Sequence, residues 1–152
     1  MTDAKGFNIR VYGIVIKDGH LLVTDEFRLG RYMTKFPGGG LELGEGPIDC
    51  ISREFKEELD QEVEAAEHFY TTDFYQVSYL LDPPQQIISI YYIVKIKPPL
   101  HFETTNTKFD FAATEGRQSF RWLPLEKLSP RVLTLPIDKV VAKKLIKQFK
   151  QS

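Results

Sequence analysis

The sequence contains a single cysteine, no long apolar run and almost no net charge. One cysteine, Cys50, excludes an intramolecular disulfide framework. No segment approaches the roughly 18–20 consecutive apolar residues of a membrane-spanning helix, and residues 1–6 lack the apolar stretch of a signal peptide. The 20 Lys and Arg residues balance 21 Asp and Glu residues, so composition gives no overall attraction to nucleic acid or acidic lipid. We therefore expect a cytoplasmic protein that does not bind membranes.

The apolar content is sufficient for a folded domain. Apolar residues make up 42% of the chain and aromatic residues 12%, which excludes a disordered protein. A chain of 152 residues commonly forms one domain with a sizeable core. We expect a single domain over residues 1–152, without internal repeats or low-complexity segments.

The most informative stretch is a glycine-rich loop followed by a predicted helix, over residues 38–59. Pro47 suits the first position of a helix, and Gly46 is an acceptable N-cap. Asp49 falls in the first turn, where a negative charge suits the helix dipole. One flank of the helix is apolar and is expected to face the core: Ile48, Ile51, Phe55 and Leu59.

The neighbouring flank of this helix carries three glutamates, Glu54, Glu57 and Glu58. Like charges three and four residues apart destabilise a helix by roughly 0.2–0.5 kcal/mol per pair, and a bound cation would offset that repulsion. Oxygen ligands around a small, charge-dense site suit Mg²⁺ or Mn²⁺. The alternative from the helix alone is an ordinary solvated acidic face.

Loop and helix together resemble the Nudix box. In that pattern Gly is followed after five residues by Glu and after seven more by Arg-Glu. An aliphatic residue, any residue, Glu-Glu, any residue, Gly and an aliphatic residue then complete it. Within Gly39–Leu59 every fixed glycine and charged position is filled at the right spacing, by Gly39, Glu45, Arg53, Glu54, Glu57 and Glu58.

The end of the box departs from the pattern. Asp60 stands where glycine is expected, and Gln61 stands where an aliphatic residue is expected. The glycine normally supplies a left-handed C-terminal cap, and aspartate tolerates that conformation better than most residues. We therefore expect the departures to affect the helix exit and not the carboxylate cluster.

A resemblance to the Nudix family implies a fold and an activity. The fold is an α/β/α sandwich with a mixed sheet, the box helix and a C-terminal helix. The activity is divalent-metal-dependent hydrolysis of a pyrophosphate bond in a nucleoside diphosphate linked to another moiety. The implied cofactor is Mg²⁺ (or Mn²⁺), and the implied partner is a small-molecule nucleotide. The alternative is a non-catalytic nucleotide-binding or regulatory Nudix module, for which the altered box end is the ground.

The resemblance also implies roles for residues of the box. Metal ligands carried over by position are the carbonyl oxygen of Gly38 and the carboxylates of Glu54, Glu57 and Glu58. Glu54 or Glu57 also orients the attacking water in this interpretation.

Arg53 is expected to pair with Glu45 and so clamp the loop to the helix, a structural role more than a chemical one. Some family members take the general base from a later loop. Glu115 is our candidate for that base, because it lies in a long polar segment at residues 103–117. A solvated glutamate is the alternative for Glu115. Cys50 is expected to pack under the glycine loop, since thiolates are poor ligands for hard cations.

Substrate contacts are expected largely outside the charged positions of the box. Residues 26–35 are predicted to form an irregular loop on the substrate side, in which Arg28 and Arg31 are candidates for phosphate contacts. Solvated arginines are the alternative. Gly39 permits close approach of the substrate.

Two tyrosines, Tyr75 and Tyr79, follow the box where some relatives place an adenine-stacking tyrosine. Ordinary strand aromatics are the alternative for both. They complete the set of substrate-binding candidates.

The remaining elements follow from local patterns. Strands are predicted at residues 7–16, 21–23, 68–81, 87–96 and 120–123, with a connector at 62–67. Asp18-Gly19 predicts a hairpin turn, residues 124–128 one helical turn, and Pro136 the start of a last helix. That helix has an apolar stripe of Ile137, Val140, Val141, Leu145 and Phe149.

The rest of the last helix is rich in lysine, including Lys139, Lys143 and Lys150. This is the one ground for an RNA-related role, which we rank last, behind a solvated face with lysines near the C-terminal end of the helix dipole. Apolar residues on the first strands or on this helix would also suit a homodimer.

Overall fold

A computed structural model describes residues 2–149, and Lys150 therefore lies outside the described residues. The chain forms two compact units, so the single domain over 1–152 stays a prediction. The first unit contains the residues up to Gly13 and Gly38–His101, and the second contains Ile14–Pro37 and the residues from Phe102 onward. The strands and helices are, in chain order, β1 (Phe7–Ile14), β2 (Ile16–Lys17), β3 (His20–Arg28), β4 (Arg31–Lys35), β5 (Gly38–Gly40), α1 (Pro47–Leu59), β6 (Val63–Thr71), β7 (Val77–Ser78), β8 (Gln85–Ile96), β9 (Arg117–Pro124) and α2 (Pro136–Phe149).

The first unit contains a five-stranded sheet and helix α1. The strand order is β5–β1–β8–β6, and β7 also pairs with β8. Strand β5 pairs antiparallel with β1, which sets Gly38 opposite Tyr12 and Gly39 opposite Val11. The absence of a side chain at Gly13 leaves room for the Phe55 ring, since a Cβ there would lie 2.6 Å from Phe55 Cζ.

Helix α1 confirms the predicted start and end of the box helix. Pro47 is its first residue, and the Asp49 side chain accepts a hydrogen bond from the Gly46 N–H at 2.9 Å. Asp60 follows the last residue in the left-handed conformation, with φ 51° and ψ 42°, as expected for the position that glycine normally fills. The buried flank is formed by Cys50, Ile51, Phe55 and Leu59. Ile48, which was assigned to this flank, is instead half exposed.

The second unit contains a four-stranded sheet and helix α2. Strand β3 lies between β4 and β9 and also pairs with the short β2, and all these pairs are antiparallel. The β2–β3 turn confirms the predicted hairpin, because Asp18 and Gly19 both have positive φ. Single 3₁₀ turns lie at Leu125–Lys127 and Pro130–Val132.

Helix α2 starts at Pro136 as predicted and buries most of the expected stripe. Ile137, Val141 and Leu145 are buried, whereas Phe149 at its end is exposed. Asp138 is also fully buried, and its Oδ2 accepts a hydrogen bond from the Phe36 N–H. No helix within residues 2–149 is long and apolar enough to cross a membrane.

The prediction of an irregular loop at residues 26–35 is wrong. Residues up to Arg28 belong to β3, and β4 begins at Arg31, so only Leu29 and Gly30 form the turn. Both turn residues have positive φ, which suits a two-residue hairpin. The charges were misleading because two of them, Glu26 and Lys35, are buried as a pair. The neighbouring Asp25 is buried in the same way, with its carboxylate bound by the Arg121 guanidinium at 3.0 and 3.1 Å.

The prediction of a connector at residues 62–67 is also wrong, because strand β6 starts at Val63. This strand is at the edge of its sheet and is mostly exposed, so its sequence lacks the alternation that marks a half-buried strand. Strands β3, β8 and β9 are longer than predicted. The expected combination of sheet strands with a box helix and a C-terminal helix is confirmed.

Candidate active site

Three consecutive glycines bring strand β5 into contact with the middle of the carboxylate helix. Gly38 has φ 151°, and a Cβ at this position would overlap the backbone carbonyl oxygen of Val11 and lie 2.7 Å from Tyr12 Cα. A Cβ at Gly39 would lie 2.7 Å from Glu54 Oε2 and would overlap the other carboxylate oxygen. The Glu54 carboxylate therefore rests directly on the backbone of Gly39, which no residue with a side chain permits.

Arg53 is at the centre of the charged groups of the box. Its Nε donates to Glu45 Oε2 at 2.9 Å, and its Nη2 donates to Glu45 Oε1 at 2.7 Å and to the Gly40 carbonyl oxygen at 3.0 Å. The other guanidinium nitrogen, Nη1, donates to Glu54 Oε1 at 3.0 Å and to Glu57 Oε2 at 3.2 Å. The predicted Arg53–Glu45 contact is present, and one side chain ties the loop to two of the three glutamates of the helix.

The contact between Arg53 and Glu45 shifts the pKa values of both side chains. The guanidinium of Arg53, through its hydrogen bonds, lowers the pKa of Glu45 from 4.5 to about 2. In turn the Glu45 carboxylate raises the pKa of Arg53 further above its ordinary value. Both groups are therefore charged at neutral pH.

Cys50 packs under the loop, as the sequence predicted. It is fully buried, and its Sγ donates to the Gly40 carbonyl oxygen at 3.5 Å. Burial, together with the nearby Glu45 carboxylate, raises the pKa of the Cys50 thiol to about 12. The thiol is consequently neutral and unreactive at physiological pH.

The carboxylates of the helix fit a hard divalent cation by their chemistry. The side chain of Glu54 is 12% exposed and that of Glu57 is 59% exposed, so they offer one partly buried and one accessible carboxylate on the same flank. Glu58 on the same flank is partly exposed, and the Gly38 carbonyl adds a further hard oxygen donor. Such all-oxygen sets are typical of Mg²⁺ and Mn²⁺ sites.

Arg53 now holds the positions between these carboxylates. Within residues 2–149 no three His, Cys, Asp or Glu side chains converge in a metal-binding arrangement. The Arg53 Nη1 group contacts both Glu54 and Glu57. A cation at this flank would exchange with the guanidinium as the partner of these two carboxylates.

The altered end of the box has a structural explanation. Gln61 is fully buried, and its Nε2 donates to the carbonyl oxygens of Lys97 and Pro99. Its Oε1 accepts a hydrogen bond from the His101 N–H at 3.0 Å. The side chain thereby binds three backbone groups of the segment that follows β8. Lys56 forms an ion pair with Asp60 at 2.8 Å, which stabilises the left-handed cap.

Three further candidates from the sequence lie together in the second unit. The Glu115 carboxylate accepts hydrogen bonds from the backbone N–H groups of Leu29 at 2.6 Å and Gly30 at 3.3 Å, in the β3–β4 turn. Arg28 and Arg31 flank the same turn directly opposite each other, and both are exposed. Their roles as general base and phosphate ligands stay predictions.

Tyr75 and Tyr79 lie outside the strands of the first unit, and both are exposed. The Tyr79 hydroxyl contacts Asp3 Oδ1 at 3.0 Å, and the Tyr75 hydroxyl contacts the Thr2 hydroxyl. The alternative of ordinary strand aromatics is therefore wrong. Substrate binding by these tyrosines stays a prediction.

Two contacts between charged residues, one in each unit, were not predicted from the sequence. The contact of Arg53 with Glu57 was not foreseen, although their spacing of four residues places them side by side on a helix. The buried Glu26 and Lys35 of β3 and β4 were also missed, because charged residues in a short segment predicted a loop. Only the alternation of apolar and polar residues around them, as in Phe27 and Met33, pointed to strands.

Comparison with known proteins agrees with this description. The family model described as NUDIX domain matches residues 7–148, almost the whole chain. Among curated proteins, RNA pyrophosphohydrolases from Psychrobacter cryohalolentis and Vibrio cholerae are each 39% identical to it over 59 residues, or 39% of the chain. The chain spans about a third of the length of these relatives, 34%.

Solved structures share the fold over almost the full length. A structure from a study of MutT from Aliivibrio salmonicida and Vibrio cholerae has a TM-score of 0.68 at 20% identity and covers 94% of this chain and 99% of that one. A MutT NUDIX hydrolase from Burkholderia pseudomallei has a TM-score of 0.66 at 15% identity, covering 91% and 98%. The expected α/β fold with a mixed sheet is thus confirmed.

Proposed function

We propose, since the chain belongs to the NUDIX domain family, that it hydrolyses a pyrophosphate bond in a nucleoside diphosphate linked to another moiety, with a divalent metal ion. The observation that carries the proposal is the contact set of Arg53, which holds Glu45, Glu54 and Glu57 beside the glycine strand. This cluster combines accessible carboxylates with backbone that lacks side chains.

Nudix hydrolases generally use divalent metals. In this chain Glu54, Glu57, Glu58 and the Gly38 carbonyl would hold Mg²⁺ or Mn²⁺. When bound, such an ion supplies charge neutralisation for the phosphates and activation of the attacking water.

The chain's own residues contribute position and charge. Arg53 is fixed by Glu45, so its Nη1 holds Glu54 and Glu57 in defined orientations before substrate arrives. Gly39, which has no side chain, lets the Glu54 carboxylate lie directly against the backbone of β5. Glu115 is proposed as the general base that takes the proton of the attacking water.

The substrate class is a nucleotide in which two phosphates are joined. The relatives named RNA pyrophosphohydrolases extend the set of substrates worth testing to RNA with a 5′-terminal triphosphate. Arg28 and Arg31 are proposed to bind substrate phosphates, and Tyr75 and Tyr79 to contact the base. A homodimer and a cytoplasmic location stay predictions.

A substrate screen with product identification tests the proposal. The purified protein is incubated with Mg²⁺ or Mn²⁺ and a panel of nucleotide sugars, dinucleotides, nucleoside triphosphates and 5′-triphosphate RNA, and products are identified by mass spectrometry. We expect cleavage between two phosphorus atoms of at least one substrate. Absence of any phosphate-containing product across the panel, with either metal, would contradict the proposal.

A matched pair of variants assigns the activity to the helix. Glu57→Gln is nearly isosteric and removes one proposed ligand, so we expect most of the activity to disappear while the thermal melting curve stays cooperative. Glu62→Gln makes the same chemical change at an exposed glutamate just beyond the helix and should leave activity unchanged. Equal activities of the two variants would show that Glu57 is not a metal ligand.

The alternative function is a nucleotide-binding or regulatory module without turnover. Its ground in the sequence was the altered box end, but Asp60 and Gln61 fill structural roles at the helix exit. Tight nucleotide binding with no hydrolysis, even with Mn²⁺, would favour this alternative.

A further inference from the structure

An ion pair in the second unit is buried on the face of a hairpin. Glu26 on β3 and Lys35 on β4 are only 2% and 4% exposed, and Glu26 Oε2 lies 3.3 Å from Lys35 Nζ. The Thr24 hydroxyl donates to the same oxygen at 3.4 Å. Buried ion pairs contribute little to stability, because the cost of desolvation cancels most of the attraction. Stability alone therefore gives a weak reason for charges at this place.

The second oxygen of the Glu26 carboxylate lacks a hydrogen-bond donor. Among residues 2–149, no protein group donates to the buried Glu26 Oε1. Arg28 Nη1 lies 3.9 Å from this oxygen, beyond hydrogen-bond distance. A buried carboxylate oxygen without a hydrogen-bond donor destabilises the folded state, and a donor from a ligand would supply the missing hydrogen bond.

The surroundings indicate the chemistry of that donor. Residues two apart on a strand share a face, so Arg28 lies next to Glu26 and opposite Arg31, at the exposed end of the hairpin. Arg28 is a half-exposed side chain whose Nη1 lies beside Oε1. Two arginines directly opposite each other repel, and an anionic group between them would relieve the repulsion. A ligand with an N–H donor at one end and phosphate at the other matches this strip of charges.

We propose that the Glu26 carboxylate, oriented by Lys35, is a recognition site for the exocyclic amino group of a nucleobase, with Arg28 and Arg31 next to the phosphates. The ligand class is thus an amino-bearing nucleotide. The inference rests on the proposed function only in taking the ligand to be a nucleotide. Its specificity follows from the cost of leaving Oε1 without a donor, which penalises bases that lack the amino group.

Nucleotide pairs that differ by one amino group test the site in the wild-type protein. ADP is compared with purine riboside 5′-diphosphate, and GDP with inosine 5′-diphosphate, by calorimetry in EDTA, where hydrolysis and binding are separated. For at least one pair, loss of the amino group should weaken binding by about tenfold or more, as expected for a hydrogen bond to a charged group. Equal dissociation constants within both pairs, or no binding of any of the four, would overturn the inference.

A double variant assigns the discrimination to Glu26. Glu26→Met combined with Lys35→Met removes the pair without leaving one charge buried, and such apolar replacements are commonly neutral or stabilising. Glu64→Met with Lys95→Met removes the same two residue types from an exposed pair, with 47% and 74% of the side chains exposed. The first double variant should bind both members of a pair equally, and the second should keep the wild-type ratio. An unchanged ratio in the first variant would overturn the inference.

The recognition site and the proposed function can be disproved independently of each other. If the amino group controls binding but no substrate is cleaved with Mg²⁺ or Mn²⁺, the proposed function is wrong and the recognition site stands. If substrates are cleaved but the amino group has no influence on binding, the activity stands and the recognition site is wrong.

Discussion

The Arg53 guanidinium binds the Glu45 carboxylate through two parallel hydrogen bonds, Nε to Oε2 at 2.9 Å and Nη2 to Oε1 at 2.7 Å. This two-point contact fixes the plane of the guanidinium, which a single lysine ammonium would not do. With that plane fixed, Nη1 has to point at Glu54 and Glu57. The orientation of the proposed metal ligands therefore depends on a residue that itself binds no metal.

Acid stability should depend on Glu45. Its pKa is about 2 in the folded protein and 4.5 ordinarily, so its contribution to stability is fully present above pH 4.5 and is lost as the pH falls toward 2. Glu45→Gln should flatten the decrease of the melting temperature over this range. Thermal melts between pH 2 and 6 measure this decrease of the melting temperature. Glu67→Gln, at an exposed glutamate, is the control. An unchanged pH profile in Glu45→Gln would contradict the role of the Arg53 contact.

Alanine substitutions in β5 should separate activity from folding. Gly39→Ala places a Cβ against the flexible end of Glu54, so the fold should survive while activity falls at least about tenfold through displacement of a proposed ligand. In Gly40→Ala the new Cβ would contact Arg10 Nη1 at 3.4 Å, an ordinary van der Waals distance. This variant should have almost no effect on activity or stability. Activity assays and thermal melts distinguish them. Equal activity of both variants would exclude a role for the close contact between Gly39 and Glu54.

Restoring an aliphatic residue at the end of the box should destabilise this protein. Gln61→Leu leaves the carbonyl oxygens of Lys97 and Pro99 and the His101 N–H without their buried partner. We expect the free energy of unfolding to fall by about 1–3 kcal/mol, with faster hydrogen exchange at the His101 amide. Urea denaturation and exchange NMR measure these effects. A variant as stable as the wild type would show that water replaces the amide without cost.

Glu115→Gln should reveal whether this residue is a base or only a turn anchor. As the general base it should lose about 10²–10⁴-fold in kcat, and the acid limb of the kcat–pH profile should disappear. The amide oxygen can still accept from the Leu29 N–H, so the turn should persist, as hydrogen exchange at Leu29 and Gly30 would report. An unchanged kcat would show that Glu115 anchors the turn and is not the general base.

The sequence was most informative where local chemistry decides the structure. The box helix starts at Pro47 and ends before a left-handed Asp60, as spacing and capping rules predicted. The contact of Arg53 with Glu45 was implied by the resemblance to the Nudix box, and it is present. These features depend on a few neighbouring residues, and a single sequence contains the information for them.

Long-range pairing was the main source of error. Glu26 and Lys35 are charged residues that lie buried in neighbouring strands, where they form an ion pair across the hairpin. Asp25 is likewise buried because Arg121, 96 positions later, binds it. Local sequence patterns do not show such distant partners, so strands that contain charged residues are predicted as loops. Gln61 belongs to the same class, since its three partners lie 36 or more positions away.

The exchange of an aliphatic residue for Gln61 has a practical consequence for recognising distant relatives. A search pattern that demands glycine and an aliphatic residue at the last two positions of the box would reject this chain. The physical requirement is looser: a left-handed residue, which Asp60 supplies, followed by a buried side chain that matches whatever segment packs beside it. Paired inspection of positions equivalent to Gln61 and the segment after β8 would find sequences that have diverged at the box end and kept its architecture.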